Sequence, residues 1–297
     1  MKHFTAFCSL YNIPPWPASE TTLRYYCVHA YRTISHATIL VYLAAIRHYH
    51  LEHGYCDPLL DSHLLAYLCK GIRRHQGDQR RVRLPLTPAL LADIRQALNQ
   101  SGSVHTRDKP ALWAAITLGF YGFLRGGEFT TCHSHTYSPT HHLLRRDIKI
   151  ASDHTHYTVV IKSSKTDPYR CTTKITVAAT NTNTCPVQAM RSFLRRTCHS
   201  YSQPLFTLSS GRYLTLAQLT ATIRSLLQAA GLTPHQAAQY SSHSLRIGAA
   251  TAAAAAGLPS WLIQTAGRWK SEAYRSYIRS PRKALLTVAP ALSKPHN

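Results

Sequence analysis

The residues best suited to chemistry lie between His243 and Tyr277, in the run HSLRIGAATAAAAAGLPSWLIQTAGRWKSEAYRSY. One short, helix-rich stretch of a basic chain thus contains a histidine, arginines, a tryptophan and tyrosines. An arginine guanidinium is a planar fork that binds two oxygens of a phosphate and stays charged. A tyrosine hydroxyl is a nucleophile that can attack such a phosphate. The stretch therefore combines groups that hold a phosphodiester with groups that attack it.

Two motifs upstream complete an ordered set. GFLRGGEFT places Arg125 and Glu128 in an L-R-x-x-E pattern at the end of the apolar run ALWAAITLGFYGFL, and IKSSKTDP places Lys165 between two β-rich segments. Together with H-x-x-R, G-x-W and a following tyrosine, these motifs resemble the signature of the tyrosine recombinases, the phage-integrase family. The wording GRW…AY..YIR is most similar to the recombinases of eukaryotic mobile elements of the DIRS, Ngaro and Crypton type.

The resemblance implies a site that cuts and rejoins DNA with six catalytic residues: Arg125, Lys165, His243, Arg246, Trp269 and Tyr277. In this family the arginines neutralise the phosphate, and the histidine and tryptophan add hydrogen bonds. The tyrosine attacks to give a covalent 3′-phosphotyrosine, and the lysine protonates the departing 5′ oxygen. Glu128 is a supporting residue. No metal ion and no small-molecule cofactor is implied.

Several of these assignments have a rival. Arg125 and Glu128 are three residues apart, so the arginine can instead serve only as an ion-pair partner. Lys162 competes with Lys165, although S-K-T at a turn favours Lys165. Trp269 can be a core residue. Tyr274 competes with Tyr277 as nucleophile, because the family has nine residues from its tryptophan to its tyrosine and this chain has eight; the YIR that follows favours Tyr277.

Composition indicates a polyanionic partner. The 297 residues contain 34 Lys and Arg against 12 Asp and Glu, a formal net charge of +22, and cations that neutralise phosphates release counterions from nucleic acid. Together with the resemblance, which implies double-stranded DNA as the partner, this charge predicts that the chain binds duplex DNA. No apolar run approaches the roughly 20 residues of a membrane-spanning helix. Eight cysteines without a C-x-x-C pair and the absence of a secretory signal favour an intracellular protein, and the mobile-element resemblance places it in the nucleus.

The order of patterns predicts two domains and a linker. Residues 1–76 are expected to form a helical, core-binding DNA-binding domain, residues 77–85 a basic linker, and residues 86–297 the catalytic domain with a C-terminal tail. Arg80, Arg81 and Arg83 of the linker, with Lys162, are predicted to contact DNA. In the tail, the apolar residues Leu285, Leu286, Val288 and Leu292 either dock on a neighbouring protomer or pack on their own domain.

Local signals predict a mainly α-helical fold with a small antiparallel sheet of three strands. RRDIKIAS, HYTVVIKSSK and CTTKITVAA alternate and are rich in Ile, Val and Thr, as in strands. Ser19 or Thr21, Ser35, Asp61 and Thr87 are predicted helix caps. The apolar helix 109–125 is expected to end at Gly126 and Gly127, with Arg125 in its last turn. The resemblance implies that the two domains form a C-shaped clamp around DNA.

The function that follows is site-specific recombination or integration for a mobile element. The family acts as a homo-tetramer on two DNA sites through a Holliday junction, and this is implied by resemblance alone. Two alternatives stay open at this stage: a catalytically inactive, domesticated DNA-binding protein, and a type IB topoisomerase-like enzyme that relaxes supercoils without pairing two sites.

Overall fold

The computed structural model describes residues 1–77, 83–163, 172–197 and 200–278. Within it the chain divides into two compact units, Met1–Arg81 and Val82–Asn297. Arg80, Arg81, Lys165 and the C-terminal tail, about which the sequence makes predictions, lie outside the described residues. No helix in the described ranges is long and apolar enough to cross a membrane.

The first unit is a small helical bundle whose core comes from apolar residues at helical spacing. Ser19 and Ser35 cap their helices as predicted, each accepting a backbone N–H with its hydroxyl. Asp61 is not a cap: the cap position is Ser62, whose side chain makes no capping bond. One helix was not predicted from sequence. The helices are α1 Lys2–Leu10, which is the unpredicted one, α2 Glu20–Ala30, α3 His36–Glu52 and α4 His63–Gln76.

The second unit is mainly helical. Thr87 caps its first helix through a bond to Leu90 N, as predicted. The unit's core forms around α6, of which ten residues are buried. Its helices are α5 Pro88–Gln100, α6 Lys109–Tyr121, α7 Gly126–Phe129, α8 Pro186–Arg196, α9 Leu216–Ala229, α10 Pro234–Ala238, α11 His243–Ala255 and α12 Ser260–Gly267, with 3-10 helices at Arg145–Asp147 and Glu272–Tyr277.

The three predicted strands are confirmed, with antiparallel order β1-β2-β3. They are β1 Ile148–Ile150, β2 His156–Ile161 and β3 Thr173–Ala178. Alternate residues of β2, Tyr157, Val159 and Ile161, are buried against the core, as the two-residue period of a half-buried strand requires. The predicted fold class, mainly α with a small three-stranded antiparallel sheet, is therefore correct.

The end of α6 differs from the prediction. The helix stops at Tyr121, and Gly122 caps it through bonds to Leu118 O and Phe120 O. Arg125 is consequently not in a last helical turn. It has extended backbone angles and occupies the N-cap position of the short helix α7. This break redirects the chain so that Arg125 and Glu128 face α11 and α12.

Candidate active site

Helix α11 carries two of the predicted residues on one face, since His243 and Arg246 are three positions apart. Its first turn is fixed by the extended segment before α5: Leu86 N donates to Ser244 O at 3.0 Å. A Cβ on Gly248 would lie 1.9 Å from Leu86 O, so the close approach of that segment to α11 requires glycine. On the other face of α11, Arg246 has 0% of its surface exposed.

Arg246 is held by two backbone carbonyls and an aromatic ring. Its Nη1 donates to Phe123 O and its Nη2 to Gly267 O, each at 2.5 Å. The guanidinium carbon lies 4.3 Å from the centroid of the Trp269 ring, within the range of a cation–π contact. The segments that follow the C-terminal ends of α6 and α12 thus both contact one arginine.

Residues in the left-handed backbone conformation orient the Phe123 and Gly267 carbonyls towards Arg246. Phe123 has φ 51° and Arg268, directly after Gly267, has φ 55°. Residues with a Cβ pay on the order of 1–3 kcal/mol for such sparsely populated conformations, which persist where the surrounding structure enforces them and cluster at functional sites. Gly267 itself cannot carry a side chain, because its Cβ would lie 1.6 Å from the Trp269 ring.

The two candidate nucleophiles have different surroundings. Tyr277 is half-buried, and its ring centroid lies 5.3 Å from that of His243 and 5.1 Å from that of Trp269. The Arg246 guanidinium carbon is 5.8 Å from the same ring. Tyr274 is only 2% exposed and belongs to a small apolar cluster with Ile263 and Trp269. Tyr277 is therefore the tyrosine that faces both the histidine and the arginine.

A buried carboxylate joins two arginines at the other side of the site. Glu128, 5% exposed, accepts the Arg125 backbone N–H at 2.8 Å and Arg125 Nη1 at 3.1 Å. Its second oxygen also accepts Arg268 Nη2 at 2.8 Å. Arg125 and Glu128 thus form the ion pair that the sequence suggested as an alternative, and the supporting role of Glu128 stays a prediction. The sequence did not predict a role for Arg268, the middle residue of the GRW motif. Its partner Glu128 is 140 positions away, and such a contact leaves no local signal.

The candidate site contains more cations than anions: Arg125, Arg246 and Arg268 surround the Glu128 carboxylate. Burial, then the charges of Arg125 and Arg268, lower the pKa of Arg246 to about 10, with Glu128 and Tyr277 opposing them. Burial likewise lowers the pKa of Arg268. Each guanidinium still carries its charge near neutral pH. Bringing these cations together is unfavourable unless an anion joins them.

Three buried donors of this cluster have no acceptor among the described residues: Arg246 Nε, Arg268 Nη1 and Trp269 Nε1. A buried polar group without a hydrogen bond costs about 1–3 kcal/mol. All three are nitrogen donors, so the ligand that satisfies them must be an acceptor. An anion with several oxygens meets both the charge and the hydrogen-bond requirement.

The remaining predicted residues are placed as follows. Arg83 is exposed, and its charge contributes to lowering the pKa of His243, so it lies on the active-site side of the unit. Lys162 forms an ion pair with Asp147 at 2.6 Å and donates to Pro139 O, with its side chain 14% exposed. Contact of Lys162 with DNA would require this pair to open, and it stays a prediction.

His243 should be neutral in the folded protein near pH 7. Burial, then the charges of Arg83, Arg246 and Arg125, lower its pKa from 6.5 to about 4. Between these values the unfolded chain binds a proton that the folded chain does not, so His243 reduces stability as pH falls below about 6.5 and has no such effect above it.

This titration predicts a pH-dependent difference in melting temperature between the wild type and His243→Gln. The difference should be constant above about pH 6.5 and shift in favour of the variant as the pH falls towards 5, because glutamine takes up no proton. Differential scanning calorimetry at matched ionic strength measures it. A difference that is constant from pH 8 to 5 would show that His243 titrates normally.

Comparison with known proteins gives a likeness of fold. No protein-family model and no curated protein matches the chain. The XerH site-specific recombinase, bound to its palindromic difH substrate in a post-cleavage complex, matches with a TM-score of 0.62 at 14% identity, covering 99% of this chain and 76% of that chain. The Tn1549 transposon integrase, in complex with a circular intermediate DNA, matches with a TM-score of 0.62 at 13% identity, covering 95% and 87%. XerA recombinase matches with a TM-score of 0.50 at 15% identity, covering 99% and 90%. The chain thus has the fold of the tyrosine recombinases, as the sequence motifs imply.

Proposed function

We propose that this chain is a tyrosine site-specific recombinase, an enzyme that breaks and rejoins DNA strands through a covalent phosphotyrosine. The observation that carries the proposal is the arrangement of Arg246, Tyr277 and His243 around the buried donors of Trp269 and Arg268. A cation-rich cluster in which three buried donors have no acceptor among the described residues is complementary to the phosphate of a DNA backbone. The nucleophile and a neutral histidine adjoin it.

The geometry supports a transesterification in which each group has one task. Arg125 and Arg246 bind the non-bridging oxygens and stabilise the charge that develops in the transition state. The Tyr277 hydroxyl oxygen attacks phosphorus and forms the 3′-phosphotyrosyl ester, while its proton passes to neutral His243 or solvent. The bond to the 5′ oxygen breaks, and that oxygen takes a proton from Lys165, a role that rests on the sequence resemblance because Lys165 lies outside the described residues. Attack by a 5′ hydroxyl on the ester reverses these steps and rejoins the strand.

The finer parts of the proposal rest on sequence resemblance and on the related proteins. The motif wording favours a mobile element of the DIRS, Ngaro or Crypton type, and hence a nuclear protein. One protein of the same fold is a transposon integrase with DNA and another a recombinase with its substrate. We propose a homo-tetramer that pairs two DNA sites through a Holliday junction, with Arg80, Arg81 and Arg83 contacting phosphates.

The test is capture of the covalent intermediate on a duplex with a nick placed so that the cleaved fragment diffuses away. We expect wild-type protein to give a labelled protein–DNA band that survives denaturation and disappears with protease. The substrate is drawn from the element's own termini. Binding without any band across such substrates would favour the inactive DNA-binding alternative. A band accompanied by plasmid relaxation but no two-site recombination would favour the topoisomerase-like alternative.

A further inference from the structure

A second cationic surface lies on the second unit, away from the candidate active site, where α5, α6 and α8 meet. Three cavities of about 390, 440 and 440 Å³ open there, and Arg196 lines all of them. We call this region the α5–α6–α8 surface. Its cationic residues are Arg95, Arg107, Lys109, Arg191, Arg195 and Arg196.

Arg95 shows that the described residues leave positive charge here uncompensated. Its half-buried guanidinium stacks 5.0 Å from the centroid of the Trp113 ring. It makes no hydrogen bond or ion pair with the described residues. Burial and the facing charge of Arg196 lower its pKa. Packing against Trp113 therefore fixes the group while leaving its N–H donors unused, an arrangement suited to an external anion.

The acidic residues do not neutralise this surface. Asp108 is the carboxylate that lines these cavities, and its Oδ1 accepts Ser209 N at 2.6 Å. None of the ion pairs among the described residues involves a cation of the α5–α6–α8 surface. Lys109 donates only to Asn99 O, at 2.8 Å.

The other lining residues indicate which polyanion fits. Between the cations lie small hydroxyl and amide side chains: Thr106, Ser192, Asn99, Asn183 and Gln188. Arginine, lysine, hydroxyl and amide groups are the set that contacts the sugar–phosphate backbone. Protein partners instead bury aromatic and apolar anchors, and no large exposed hydrophobic residue of the described chain lies on α5, α6 or α8.

The α5–α6–α8 surface is distinct from the active site. Lys109 and Trp113 belong to the first turns of α6, whereas Arg125 follows its last turn. At 1.5 Å per residue, α6 rises about 18 Å from Lys109 to its last residue, Tyr121, and about 12 Å from Trp113. A phosphate held by Arg246 cannot reach this surface.

We propose that the α5–α6–α8 surface binds the phosphate backbone of a second nucleic-acid segment, in addition to the duplex held at the active site. The interaction reads charge and not sequence, since it uses phosphate contacts alone. It goes beyond the proposed reaction and does not depend on strand cleavage.

The experiment counts the short labelled duplexes bound per full-length chain at low salt, by sedimentation. The variant is Arg195→Gln with Arg196→Gln, two exposed positions at the end of α8, and the matched control is Lys149→Gln with Lys174→Gln, two exposed positions on the sheet. We expect two duplexes for wild type and control, and one for the variant.

Several outcomes would overturn the proposal. These are a single duplex on the wild type, two on the variant, or equal loss in the control. Displacement of the second duplex by poly-glutamate as readily as by unlabelled duplex would assign the surface to an acidic protein. Covalent adduct formation is measured separately and should be unchanged in the variant. A wild type that forms no adduct but binds two duplexes would refute the proposed recombinase activity and leave this inference standing.

Discussion

Replacing Tyr277 with phenylalanine should abolish the covalent protein–DNA complex while leaving folding and DNA binding intact. The substitution removes one oxygen, the atom that forms the phosphotyrosyl ester, and leaves the ring to pack against Trp269 and His243. A phenol attacks best as its oxyanion, which neighbouring cations stabilise. The Arg246 guanidinium carbon lies 5.8 Å from the centroid of the Tyr277 ring, a position from which its charge acts on the attacking oxygen. A denaturing gel with labelled nicked substrate measures the adduct.

Tyr274→Phe is the matched control, because it removes the same atom three residues upstream. Tyr274 packs in an apolar cluster, and the Arg246 guanidinium faces the rings of Trp269 and Tyr277 instead, so Tyr274 is the less favourably placed of the two hydroxyls. We expect this variant to keep its adduct, with at most a modest loss of rate. An adduct that survives in Tyr277→Phe and vanishes in Tyr274→Phe would move the nucleophile one turn upstream. An adduct in both variants would exclude the tyrosine mechanism.

The fold was largely readable from sequence because its signals are local. The alternation of apolar and polar residues in HYTVVI marks a half-buried strand within six residues. Ser19, Ser35 and Thr87 each bond to a backbone N–H three positions on, so the capping motif is complete within one turn. Such features depend little on the rest of the chain.

The parts that sequence reasoning missed depend on distant contacts. Two glycines after Arg125 predicted a helix end there, yet α6 ends at Gly122. The left-handed Phe123 that follows places its carbonyl on Arg246, 123 positions away. Helix α1 was not predicted, although Phe4, Phe7 and Cys8 recur at helical spacing, because three positions within nine residues are a weak signal. Its Phe4 packs on Tyr26 of α2, at 5.2 Å between ring centroids.

The sequence suggested the residue types of the candidate site but not the contacts between their side chains. A charged residue in the middle of GRW suggests an exposed side chain, whereas Arg268 is 14% exposed and paired with Glu128. Without this second arginine, Glu128 would oppose the charge of Arg125 alone. With it, the carboxylate is shared, and the cluster of Arg125, Arg246 and Arg268 keeps a net positive charge for the phosphate.

Changing Arg246 to lysine should lower the rate of adduct formation by about 100- to 1,000-fold, the loss typical of removing one transition-state donor. Lysine keeps the positive charge, but its ammonium is a point charge that cannot bind two phosphate oxygens side by side as a guanidinium does. Binding of DNA should change little, because many other cations contribute to a net charge of +22. Arg275→Lys is the control, since that side chain is 74% exposed and its partners, Glu272 and Tyr274, are its close neighbours in the chain.

Arg246 also holds the backbone of Phe123 and Gly267, so a structural effect must be separated from a catalytic one. A substrate with an uncharged methylphosphonate at the cleaved position has less charge for the arginines to neutralise. If Arg246 acts on the phosphate, the loss caused by Arg246→Lys should shrink on this substrate relative to the ordinary one. An equal loss of adduct-formation rate on both substrates, with a lowered melting temperature, would show that Arg246 acts only by holding the backbone after α6 and α12. Wild-type rates in Arg246→Lys would exclude both roles.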